Sequence, residues 1–200
     1  MKKLFLVVVM LSAVEASFSQ KEKKQFIHKG ILRAQATISP GMLLKENAST
    51  ISIHGNLEYY LADNVSIRGD GFYFLQVNGI NHPLHINHSV FAGASYHFKT
   101  KNHFDPYFSF APGIAITQYT DCYDPQITYG DICNDKAYIN PLISPAIGFN
   151  LYFQRVFHLF AEARYISGKH LSDDSTPLSL NELRFSFGLG WNLNLIKQKK

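Results

Sequence analysis

Apolar and polar residues alternate with a period of two along most of the chain, and the alternation falls into eight blocks. Strict alternation puts every second side chain on one face of a strand, so each block predicts a β-strand. The blocks read 30–44, 49–61, 65–75, 89–99, 106–119, 140–153, 156–167 and 182–195. Each is about 11 to 15 residues long, against about 5 or 6 for strands of soluble sheets. A tilted strand crosses a bilayer in about 9 to 11 residues, so length points to the membrane.

One face of every block is apolar. The last block shows it most cleanly, with Leu183, Phe185, Phe187, Leu189, Trp191, Leu193 and Leu195. A soluble β-sandwich would have an equally apolar inner face, so the other face separates the two folds. A solvated face would be rich in Lys, Glu and Thr. Here it carries Gly93, Ser95, Gly113, Ala115, Gly148, Gly188 and Gly190 among Gln35, His54, Asn56, Asn150 and Asn192. Small and polar residues of this kind suit the narrow interior of a closed barrel. Phe72, Phe91 and Phe160 share the polar phase and go against the pattern. The expected fold is all-β: a transmembrane antiparallel up-and-down barrel of eight strands.

The links alternate too. Residues 61–64, 100–105 and 154–155 make short turns, whereas 76–88, 120–139 and 168–181 are longer and polar; 45–48 is short and breaks the rule. Short turns on one side and long loops on the other are the habit of outer-membrane barrels. Both chain ends then fall on the short-turn side, the periplasm, and the long loops face outward. Tyr59, Tyr96, Phe98, Phe108, Phe153, Phe157 and Trp191 would form an aromatic girdle near the periplasmic ends.

The N-terminus agrees with export. Lys2 and Lys3 precede an apolar run, Leu4 to Val14, and small residues around Ser19 follow. This reads as a signal peptide over 1–19. A periplasmic segment at 20–29, the barrel at 30–195 and a basic periplasmic tail at 196–200 would follow. About 180 residues remain after cleavage, enough for one domain. The net charge of +4 comes with lysines gathered at the chain ends and turns. A basic stripe with stacking aromatics is absent, so no nucleic-acid partner is expected. Cys122 and Cys133 are the only cysteines, and in an oxidising compartment they read as a disulfide within one loop.

The run Leu57-Glu-Tyr-Tyr-Leu-Ala-Asp-Asn-Val-Ser-Ile-Arg-Gly-Asp-Gly-Phe-Tyr-Phe74 resembles the second hairpin of the OmpA/OmpX-type outer-membrane barrels. Asp105-Pro-Tyr-Phe-Ser-Phe-Ala-Pro-Gly-Ile-Ala115 is similar to that family's fifth strand, and Phe157-His-Leu-Phe-Ala-Glu-Ala-Arg-Tyr165 to its seventh. The resemblance covers most of the mature chain and implies the fold; it leaves function open. Two departures stand out. The chain runs past Trp191 to Lys200 instead of ending on an aromatic, and there is no room for a periplasmic peptidoglycan-binding domain.

The candidate chemistry lies mainly in the polar phase. Arg33, Glu58, Arg68, Asp70, Glu162, Arg164 and Arg184 fall there, with Glu182 at a strand edge, giving four arginines and four acids. Buried charges must pair, so a lumen network is expected, with Glu162 set against Arg68 or Arg184. Such a network is either a structural plug or a gate to a small conductance path. His82, His85 and His88 read as solvated loop histidines, with no metal site. Ser167, His170 and Glu162 raise a lipid A-modifying enzyme as a contrasting idea, but the required strand phases disagree. No catalytic residue, cofactor or metal is expected. The remaining expectations are a mainly structural monomer, with outer-membrane lipid, lipopolysaccharide and the insertion machinery as partners. An extracellular ligand of unidentified kind is left to the long loops.

Overall fold

A computed structural model describes residues 26–75, 84–100, 103–119, 136–171 and 178–195. The signal peptide at 1–19, most of the segment 20–29, His82, Cys122, Cys133 and the tail 196–200 lie outside the described residues.

Eight strands appear in order: β1 (Ile31–Leu43), β2 (Ala48–Ala62), β3 (Val65–Phe74), β4 (Leu84–His97), β5 (Phe104–Tyr119), β6 (Ala137–Tyr152), β7 (Phe157–Gly168) and β8 (Glu182–Asn194). Each pairs antiparallel with its neighbours in sequence, and β1 closes on β8 to form a barrel. Closure leaves no sheet edge, which is what an apolar solvent demands of a spanning sheet. The tight link between β1 and β2 is made by Asn47 in the left-handed region, at φ 50°. Asn is among the few non-glycine residues that adopt it readily.

The alternation becomes an outside and an inside. Ile38, Ile147 and Phe187 are more than 60% exposed, whereas Arg33, Glu58 and Arg164 are at most 1% exposed. An exposed face that is apolar around the whole circumference is a face for lipid. Aromatic side chains near the end that carries the chain termini pair on this outer surface. Tyr96 meets Phe98 with ring centroids 5.3 Å apart, Phe104 meets Phe149 at 5.3 Å, and Phe157 meets Trp191 at 6.4 Å.

Three boundaries differ from the sequence expectation in a way that matters. β4 starts at Leu84 instead of 89, β6 at Ala137 instead of 140, and β5 at Phe104 instead of 106. His85 and His88 therefore belong to a strand, not to a loop. The His88 ring stacks on Tyr73 at 4.3 Å, and its Nδ1 accepts a hydrogen bond from the Phe74 amide at 3.1 Å. The earlier start of β5 brings Asp105 into the barrel wall, where it is 1% exposed.

The half of the lumen nearer the chain termini is polar and charged. Toward the other end Leu43, Phe72, Leu84, Phe91, Leu142 and Ile166 pack with Leu180 of the β7–β8 link into an apolar cluster, at the height of the buried Arg184 and Glu182. Within that link Lys169 and Ser179 form a bridge that extends the hairpin.

Candidate functional site

Strand register brings the charges together. Arg33 stands opposite Glu58 across β1–β2, and Glu58 opposite Arg68 across β2–β3. Alternating sign across neighbouring strands is the favourable arrangement for a sheet face. On the far wall Gly148 of β6 lies opposite both Tyr107 of β5 and Glu162 of β7. The absence of a side chain there lets the Tyr107 hydroxyl donate to Glu162 Oε2 at 2.8 Å, because a Cβ on Gly148 would sit 2.6 Å from that hydroxyl.

The charges fall into three groups along the lumen. Nearest the chain termini, the Arg33 guanidinium binds the Glu58 carboxylate through Nε (3.0 Å) and Nη2, and its Nη1 reaches Tyr152 at 2.9 Å and Asp105 at 3.4 Å. His97 lies between the two acids, with Nε2 2.9 Å from Glu58 Oε1 and Nδ1 2.9 Å from Asp105 Oδ1. Asn150 donates to Asp105 at 2.9 Å, and Ser66 donates to Glu58. A smaller amide cluster flanks this group: Asn56 donates to Gln35 at 2.7 Å, and Gln35 lies 2.8 Å from His158 Nε2.

The middle group is a four-member ring. Arg68 binds Asp70 at 2.5 Å and Glu162 at 2.8 Å, while Arg164 binds the same two acids at 3.0 Å each. His54 joins it, 3.1 Å from Asp70 and 2.9 Å from the Ser186 hydroxyl. In the third group Arg184 binds Glu182 at 2.7 Å and donates to Ser89 at 2.8 Å, and Thr50 donates to Glu182 at 2.5 Å. Glu162 thus meets Arg68, while Arg184 takes Glu182, the acid at the strand edge. Taking two ions out of water costs several kcal/mol each, and the extra hydrogen bonds from Ser, Thr, Asn and Tyr are what offset it.

Sequence reasoning missed several members. Tyr60, His97, Tyr107, Tyr152 and His158 are all buried in the lumen. Each has the parity of the polar phase, which was the available signal. Asp105 was counted as a turn residue, so the four-against-four balance of acids and arginines becomes five against four among the described residues.

Two other chemistries do not match the geometry. Ser167 donates to Asn181 at 3.1 Å, and His170 Nδ1 lies 2.6 Å from Thr117, so these two side chains have other partners. Glu162 is taken up by arginines. The hydrolytic arrangement is therefore not assembled. His54, Asp70 and Glu162 do converge, with potential ligand atoms within 4.8 Å. Both carboxylates, however, already carry two guanidinium partners each, and a divalent cation would have to join two positive groups at the same oxygens. The cluster is an ion-pair ring and does not fit a metal.

No family model and no curated protein matches the chain. Solved structures do. The N-terminal β-barrel domain of Pseudomonas aeruginosa OprF aligns at 17% identity over 83% of this chain and 99% of that one, with a TM-score of 0.56. The outer membrane protein OprG of Pseudomonas aeruginosa aligns at 10% identity over 85% and 99%, with a TM-score of 0.60. The fold is that of an eight-stranded outer-membrane barrel. Neisserial surface protein A gives the same architecture at 14% identity over 82% of this chain and 96% of that one, TM-score 0.53. At such identities it is the fold alone that is shared.

Proposed function

We propose that the chain is an integral outer-membrane protein with a mainly structural role, whose lumen is held shut by its own side chains. One observation carries this reading. The interior is filled by an ion-paired, hydrogen-bonded network and an apolar cluster, and both sit inside a wall whose outer face is apolar. Eight strands enclose little more than side chains, so a filled interior serves as a plug.

On this reading both chain ends face the periplasm, and the links at 76–83, 120–136 and 169–181 face outward. The lipid partners are outer-membrane phospholipid and lipopolysaccharide, and insertion relies on the barrel-assembly machinery. A disulfide between Cys122 and Cys133 would tie the second long loop, giving a surface on which an external ligand could be held. The likeness to a protein named as a surface protein is in keeping with that added role. The barrel works as a monomer and carries no enzymatic activity.

Membrane fractionation and gel mobility test the reading together. The protein should sediment with outer membranes, and unheated samples should migrate differently from boiled ones. Recovery in the soluble fraction, or identical mobility with and without boiling, would contradict it.

A further inference from the structure

Among the described residues the lumen buries five carboxylates, Glu58, Asp70, Asp105, Glu162 and Glu182, against four guanidiniums, Arg33, Arg68, Arg164 and Arg184. The middle group is balanced two against two, and the Arg184–Glu182 pair one against one. The shortfall is therefore local. It lies at the end carrying the chain termini, where Arg33 alone faces both Glu58 and Asp105.

His97 occupies the place where a second cation would be needed. Its Nδ1 is 2.9 Å from Asp105 Oδ1 and its Nε2 is 2.9 Å from Glu58 Oε1. An ionised carboxylate only accepts hydrogen bonds, and a neutral imidazole has only one N–H to give. With a neutral ring, one carboxylate would confront a nitrogen lone pair at hydrogen-bond distance in a buried site. A doubly protonated ring satisfies both contacts and completes the charge balance.

We propose that Glu58, His97 and Asp105 form a proton-binding site at the periplasmic end of the lumen, with His97 held as the imidazolium. The bound proton is the fifth cation of the interior and pins β4 to β2 and β5. The groups around the ring from the other strands fit this state. From β2, the Tyr60 hydroxyl lies 3.3 Å from Nδ1; from β3, the Ser66 hydroxyl lies 3.1 Å from Nε2 and can accept from it while donating to Glu58. From β5, the Tyr107 ring packs with centroids 5.5 Å away. Arg33 of β1 and Tyr152 of β6 complete the surroundings through the same two acids. His97 is the last residue of β4, so the site lies at the end of the lumen that carries the chain termini.

Nitrogen NMR on refolded, ring-labelled protein reads the proton directly. At about pH 8, above the ordinary histidine value of about 6.5, both His97 ring nitrogens should be protonated. An unprotonated nitrogen at His97 under those conditions overturns the proposal. Urea unfolding across pH gives a second readout. If folded His97 keeps its proton, its contribution is fully present below about pH 6.5 and is lost as pH rises through its deprotonation. Glu58→Gln or Asp105→Asn restores four acids against four arginines and should flatten that alkaline loss, whichever of the two refolds better. A loss of unchanged steepness in the folded variant overturns the proposal as well.

Discussion

The Arg184 guanidinium lies over the Phe72 ring, 4.6 Å from its centroid, and the His54 ring stacks on Phe72 at 4.1 Å. Phe72 is thus a joint between the polar network and the apolar cluster: Arg184 and His54 contact its ring, and Phe91 of the cluster packs at its edge, 6.0 Å away. Removing it should weaken both. Phe72→Ala is expected to lower unfolding stability by about 3–5 kcal/mol, the range for deleting a buried aromatic. Urea titration of protein refolded into vesicles, followed by tryptophan fluorescence from Trp191, measures it.

The Arg68–Glu162 pair should behave as a coupled unit. Neutralising one partner strands the other charge in the interior, which costs about 3–5 kcal/mol, whereas replacing both with apolar residues is often close to neutral. Arg68→Met and Glu162→Leu should each destabilise strongly, and the double variant less than either. A double-mutant cycle by equilibrium unfolding checks this. Additive losses would mean that the pair is not coupled.

Gly148 is predicted to be intolerant of any larger residue. A Cβ there would lie 2.6 Å from the Tyr107 hydroxyl and 2.6 Å from the Ala161 carbonyl oxygen. The second contact is with backbone and cannot be relieved by a side-chain turn. Gly148→Val should therefore cost about 1–3 kcal/mol or more, visible as a lower thermal midpoint for the heat-sensitive gel band. Gly55 is the control, since the nearest atom to its Cβ is 3.8 Å away.

Much of this was readable beforehand because a barrel wall is governed by a period of two. Parity alone separates Phe187 from Ser186, and it assigned the seven charged residues to one side. The misses have local causes. Polar residues such as His85, Asn87 and His88 look like loop, yet β4 extends through them because it pairs with a long β5. Residues 100–105 look like a turn, but β5 begins at Phe104, and Asp105 is a wall residue paired with Asn150. Losing Asp105 from the lumen hid the charge shortfall, and with it the place of His97. Heights along the barrel were beyond reach, since pairing partners depend on shear, which parity does not encode.

The outer face makes a depth-dependent prediction. Phe187 sits midway along β8 and is 65% exposed, while Leu195 lies just past its end. Phe187→Arg should cost about 2–4 kcal/mol and Leu195→Arg about 0–1, as expected for a midplane and an interfacial site. Unfolding of the two variants in the same vesicles compares them. Equal costs would argue that this face does not cross a bilayer.

The central claim is that the lumen is closed by its own network, and single-channel recording of the refolded barrel in a planar bilayer tests it most directly. The account predicts no stable conductance steps from the unaltered protein. Reproducible steps that grow when Glu162 or Arg68 is neutralised would contradict it and assign the network to a gate.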